Sequence, residues 1–138
     1  MKRSTGYLLI LVAFLEIGLS SCEVDPKPSP ADVREAFLGI WSVTETERKL
    51  TYEVTIELDP GTQNGWVFIS NFANAGSTSA PAYAFVSNNT ITLETDQVIG
   101  DGWIINGSGT LSGSTINWHY TLNDKANLHN ISAIFTRL

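Results

Sequence analysis

From about residue 39 onward the chain alternates apolar and polar positions with a period of two, the pattern of strands that bury one face. Such runs fall near Ile40–Glu47, Leu50–Leu58, Trp66–Phe72, Ala82–Val86, Thr90–Thr95, Trp103–Ser112, Thr115–Leu122 and Asn130–Arg137. Turn-forming residues separate them: Arg48-Lys49, Asp59-Pro60-Gly61, Asn88-Asn89, Gly100-Asp101-Gly102, Gly113-Ser114 and Asn123-Asp124. Short connections without a long crossover predict a meander. Closing it into an eight-stranded antiparallel up-and-down barrel is the simplest way to remove the sheet edges. Ahead of the strands, Ser29 suits a helix cap and Pro30 a first helical position. Asp32 and Glu35 fall in the first turns and Gly39 at the end, so a short N-terminal helix is expected.

Two hairpins fix side-chain faces by arithmetic, because a two-residue loop makes its flanking residues pair directly. With Gly113-Ser114 as loop, Ser112 faces Thr115, Leu111 faces Ile116, Gly109 faces Trp118 and Gly107 faces Tyr120. Large side chains then lie over glycines, a device of curved sheets. The inward set is Trp103, Ile105, Leu111, Ile116, Trp118, Tyr120 and Leu122, and the outward one a polar ladder of Asn106, Ser108, Thr110, Asn117, His119 and Thr121. With Asn88-Asn89 as loop, Val86 faces Ile91 and Ala84 faces Leu93, which turns Tyr83 and Phe85 outward. If Val67 and Ile69 point inward, then Trp66, Phe68 and Phe72 join Tyr83 and Phe85 in an outer apolar patch of the kind that marks a contact surface. The alternative is that Trp66 and Phe68 point inward or lie under the Ala73–Pro81 loop.

The first 30 residues differ in kind. Lys2 and Arg3 precede the apolar run Tyr7–Leu15, which is too short for a membrane span of roughly 20 residues. Leu19-Ser20-Ser21-Cys22 then resembles the cleavage box of bacterial lipoproteins. The resemblance implies a signal peptide over 1–21 and lipidation of Cys22 with several acyl chains such as palmitate. It also implies a lipidated tether over 22–30, with Pro26, Pro28 and Pro30 keeping it extended, and a domain over 31–138. Anchorage would be permanent, at the bacterial cell envelope and most readily the outer membrane. Cys22 is the only cysteine, so no internal disulfide supports the fold. Removing Lys2, Arg3 and Glu16 with the leader moves the net charge from −6 to −7, which argues against nucleic acid as a partner.

Gly39-Ile40-Trp41 resembles the Gly-x-Trp entry to the first strand of lipocalins and related calycin barrels. Ile69-Ser70-Asn71-Phe72, Asn89-Thr90-Ile91-Thr92-Leu93, and the run Gly107 to Ile116 followed by Tyr120-Thr121 are similar to small lipocalin-like lipoproteins of Bacteroidetes. That likeness implies a lipocalin-like, lipid-anchored barrel. Many members carry a cysteine pair in the barrel, and this chain lacks it. In the superfamily a basic side chain from the barrel's end packs across the first-strand Trp. Here Arg137 shares parity with Ile131, Ala133 and Phe135, so Arg137 is expected over Trp41 as the barrel closure.

The candidate chemistry is short. His119 and His129 lack the spacing of a metal site, and no nucleophile elbow, phosphate loop or HExxH helix occurs. Neither an enzyme nor a metal or other cofactor is expected. Glu45 shares the inward parity of Trp41 and Val43, where a solvated rim acid is the commoner role and a contact to a polar ligand group the other. Two binding modes follow. In one, Tyr52, Val54, Ile56, Trp103, Trp118 and Tyr120 line a cavity for a small apolar ligand, since an eight-stranded barrel either fills with side chains or holds one small molecule. In the other, Trp66, Phe68, Tyr83 and Phe85 contact an envelope protein or glycan.

Overall fold

The computed structural model describes residues 32–61 and 65–138. The signal peptide, Cys22, the tether and the Ser29 cap expected from sequence lie outside the described residues. Among the described residues nine strands run in chain order: β1 Gly39–Glu45, β2 Leu50–Leu58, β3 Trp66–Ser70, β4 Ala82–Ser87, β5 Thr90–Leu93, β6 Gln97–Ile99, β7 Trp103–Ser112, β8 Thr115–Asn123 and β9 Leu128–Arg137. All pairings are antiparallel, in the order β5-β4-β3-β2-β1-β9-β8-β7-β6, and β5 also pairs with β7. The sheet is therefore closed. Because β5 and β6 both lie along β7, they form one broken stave, and the barrel has eight.

The expected strand Thr90–Thr95 ends at Leu93, and β6 is a strand that the sequence pattern did not indicate. Thr92 faces Ser108, but Gln97, five residues on, faces Ile105, only three residues back. Two residues therefore bulge out, with Asp96 at a left-handed φ of 53°. The Asn106 side chain secures the bulge by accepting from Asp96 N at 2.7 Å and donating to Asp96 Oδ1 at 2.8 Å.

Both hairpin registers follow the turn arithmetic: Gly109 pairs with Trp118 and Gly107 with Tyr120, Val86 with Ile91 and Ala84 with Leu93. A β-carbon on Gly109 would come within 2.8 Å of the Trp118 ring, and one on Gly107 would strike the β8 backbone itself. Only glycine admits β8 at that distance.

The expected N-terminal helix is, in the described part, a five-residue 3-10 turn over Val33–Phe37. Asp32 caps it by accepting from Arg34 N at 3.0 Å, and Leu38 is already extended (φ −68°, ψ 150°), which leaves no length for an α-helix. The turn covers one barrel end. Trp41 Nε1 donates to Phe37 O at 2.8 Å, and both rings are fully buried. Arg137, paired with Trp41 across β1 and β9, lays its guanidinium carbon 4.2 Å from the indole centroid. Its Nη1 donates to Leu38 O at 2.8 Å and its Nη2 to Ala36 O. One side chain thus joins the last strand, the first strand and the covering turn.

Phe72 departs from the outward position expected of it. Strand β3 stops at Ser70, Asn71 takes a left-handed φ of 60°, and the chain turns across the other barrel end. Phe72 enters the core, 5.3 Å from Trp118, 4.8 Å from Tyr120 and 6.4 Å from Phe135, centroid to centroid. A left-handed residue reverses the alternation that parity counting relies on.

Removing Arg137 should loosen the seam. Arg137→Ala is expected to lower stability by about 0.5–2 kcal/mol through loss of the cation over the ring, read as a lower melting temperature; an unchanged one would mean the contact contributes nothing.

Candidate functional site

Of the six residues expected to line a cavity, Val54, Ile56, Trp118 and Tyr120 are buried in the core and Tyr52 and Trp103 are half-buried against it. The space between them is occupied. Phe72 supplies the ring that sequence reading had placed outside, and Phe135 stacks 5.4 Å from Trp118. Trp41, Trp118, Phe37, Phe72 and Phe135 are the largest of the fully enclosed side chains. Among the described residues, clefts of about 410, 220 and 650 Å³ open to solvent.

At the end that Phe72 closes, Glu45 is 1% exposed, which corrects the solvated rim acid. Arg48 Nε donates to its Oε2 at 2.5 Å and Arg48 Nη2 to its Oε1 at 2.6 Å. Tyr52 and Tyr120 hydroxyls also donate to Oε1, the former at 2.5 Å. Arg48 Nη2 reaches Ala73 O at 2.9 Å, tying the set to the segment that carries Phe72. Burial opposes charge on Glu45, but the hydrogen bonds from Arg48, Tyr120 and Tyr52 outweigh it and hold the carboxyl below its ordinary range. Burial and the neighbouring carboxylate push both tyrosines up, so they remain donors. Arg48 follows Glu45 by three residues, but nothing local indicates that both tyrosines and the Ala73 carbonyl converge there.

Outside, the aromatic patch forms as two cross-strand pairs. Trp66 faces Phe85 and Phe68 faces Tyr83. The first pair is edge-to-face at 5.5 Å and 67°, the second at 4.5 Å and 66°. Tyr83 and Phe85 are 39% and 40% exposed, while Trp66 and Phe68 are half-buried with Val67 and Ile69 enclosed beneath them. Phe85 lies against the bare α-carbon of Gly65, where a β-carbon would sit 2.9 Å from the ring. Tyr83 is fixed by its backbone: Gln97 Oε1 accepts from Tyr83 N and Gln97 Nε2 donates to Tyr83 O, both at 2.7 Å. Trp66 and Tyr83, with Asp59 and Glu94, line the 220 Å³ cleft.

The outer polar ladder holds the 410 Å³ cleft, with Glu47, Asn106, His119, Thr121, Asn130 and Ser132 among its walls. His119 Nδ1 lies 3.2 Å from Ser132 Oγ, but Glu47 Oε2 accepts from Ser132 N at 3.0 Å instead of orienting the imidazole. A nucleophile needs its acid behind the base, so this geometry does not activate the serine. His129 Nε2 pairs with Asp124 Oδ2 at 2.9 Å, and that hydrogen bond, with two more from the backbone of Asn127 and Ala126, holds the Asp124 carboxyl down at about 2. No group of three or more His, Cys, Asp or Glu suited to a metal ion occurs among the described residues.

No family model matches the chain, and no curated protein matches it.

The Glu45 set carries a pH signature. A carboxyl whose folded pKa is depressed contributes stability that is full above its ordinary value of 4.5 and is lost as pH falls through the folded value. Glu45→Gln should cost about 3 kcal/mol at neutral pH by leaving Arg48 without its counter-charge. It should also flatten the loss of stability below pH 4.5. Denaturant melts of both proteins from neutral pH down to about 3 check this, and parallel acid profiles would contradict it.

Proposed function

We propose that this chain is a non-catalytic binding module of the bacterial cell envelope, tethered by lipid at Cys22, whose working surface is the outer strip of Trp66, Phe68, Tyr83 and Phe85. The observation that carries this reading is the contrast between the two faces of β3 and β4. Val67, Ile69, Ala82 and Ala84 pack into a filled interior, while four aromatic rings stand on the outside of the same two strands. A contiguous apolar strip of this kind is what an interaction surface requires. The tether supports the reading by holding the domain near envelope partners, and the likeness to lipocalin-like lipoproteins of Bacteroidetes agrees with it.

A second reading, a small apolar ligand inside the barrel, is favoured by one detail. Trp118 Nε1 is buried without a hydrogen-bond partner among the described residues, a cost of about 1–3 kcal/mol that a ligand acceptor would relieve. Beside it Phe72 rides on a segment with three non-glycine residues at positive φ, Asn71, Ala73 and Asn74, so displacing that ring would open the site. A stoichiometric small-molecule adduct in native mass spectra of the purified chain would decide for this reading.

The surface reading is tested by the pair Tyr83→Ser and Phe85→Ser together. The double variant should still unfold cooperatively, with a loss of about 1–3 kcal/mol from two edge-to-face pairs. It should abolish the adduct that a photo-crosslinker at position 68 forms in cells. Collapse of the fold would show the two rings to be core, and an unchanged adduct would place the contact elsewhere.

A further inference from the structure

Resting on the reading of this strip as the working surface, we propose that its occupant is a cationic side chain, lysine or arginine, presented by a partner protein. The four rings are bracketed by carboxylates on both sides. On β2, Glu57 faces Phe68, and Asp59 just beyond the strand donates its backbone N–H to Trp66 O at 3.4 Å. Past β5, Glu94 donates its backbone N–H to Tyr83 O at 3.0 Å. Two of these acids, Asp59 and Glu94, share the 220 Å³ cleft with the Trp66 and Tyr83 rings.

A cleft lined by two aromatic and two acidic side chains is complementary to a positive group on an apolar stem. The ring geometry separates this from a sugar platform. At 67° and 66° the Trp66–Phe85 and Phe68–Tyr83 pairs meet edge to face and not as one flat surface, so the strip offers no coplanar bed for a pyranose. Arg34 lies close by and is 7% exposed; it binds Asp32 Oδ2 at 2.6 Å, donates to Trp66 O at 3.1 Å and is within Coulombic reach of Asp59, so Glu94 is the carboxylate that a partner's cation would chiefly meet. The chain's net charge of −6 attracts a basic partner over a longer range. Phe68 and Phe85 extend the contact beyond the cleft, which suits a side chain carried by a polypeptide better than a free amine. Gln97 already locks the Tyr83 backbone, so this wall needs little ordering on binding.

The test is a titration of the full chain, isotope-labelled and held in a polyoxyethylene detergent that carries neither cation nor sugar, read at the Trp66 indole N–H resonance. The probes are a capped decapeptide of alternating Arg and Ser, the same peptide with Glu for Arg, and a neutral glucose hexamer. The proposal expects saturable movement of the Trp66 resonance with the Arg peptide alone, weakened by about tenfold in the double variant Asp59→Asn, Glu94→Gln, and weakened further by salt. Equal affinity in that variant, or shifts confined to other surfaces, would overturn it. Movement with the glucose hexamer but not the Arg peptide would also overturn it while leaving the surface reading intact. If no probe moves Trp66 the cation is excluded, and the adduct from position 68 then decides the surface reading independently.

Discussion

Pairing of β1 with β9 closes the sheet, and the rest of the structure depends on that closure. Trp41 faces Arg137 at the seam, Val43 faces Phe135, and Glu45 faces Ala133. With the seam closed no strand among the described residues presents a long free edge for another chain to pair with. Closure also fixes the interior volume, and large rings together with Phe72 fill it. The Arg137 guanidinium and the 3-10 turn over Val33–Phe37 cover one end. The Asn71–Asn74 segment, held by Arg48, covers the other.

Filling the interior directs attention outward. The same period-two alternation that buries Val67 and Ile69 obliges Trp66 and Phe68 to stand on the outer face, and the β4–β5 hairpin does the same for Tyr83 and Phe85. These four rings cover each other in pairs, which reduces but does not remove their exposure. Meanwhile the acids of β2 and of the β5–β6 bulge come to flank them because the barrel's cross-strand order leaves no other neighbour on either side. The buried Glu45 is different in kind. Its partners complete its hydrogen bonding within the chain, so it works as an internal clasp, joining β1 and β2 to β8 and to the segment that carries Phe72.

What the sequence disclosed was local or periodic. Turn residues at Asn88-Asn89 and Gly113-Ser114 determine their hairpins within a few positions, and inward and outward faces then follow by counting. Tyr83 and Phe85 were legible as outward for that reason, while Trp66 and Phe68 stayed open between the two faces until the pairing of β3 with β4 was known. What escaped were events that interrupt the count or depend on distant residues. Asn71 is a non-glycine residue in a left-handed conformation, and nothing in its neighbours announces that it will turn Phe72 inward. The bulge that separates β5 from β6 is secured by a pair ten residues apart in sequence, Asp96 with Asn106. Glu45 was assigned the inward side correctly, but its burial depends on Tyr120, 75 residues away. The carboxylate bracket around the strip needed the pairing of β2 with β3 and the course of the chain after β5, neither of which a two-residue turn specifies.

The barrel keeps its interior rings from solvent and presents the aromatic face to it. Hydroxyl-radical footprinting of the folded chain, resolved to single residues, measures this directly. Rapid oxidation of Trp66, Tyr83 and Phe85 with protection of Trp41, Phe72, Trp118 and Phe135 is the predicted result. Comparable oxidation of Phe72 and Trp118 would contradict it, because solvent would then reach the interior that these rings occupy.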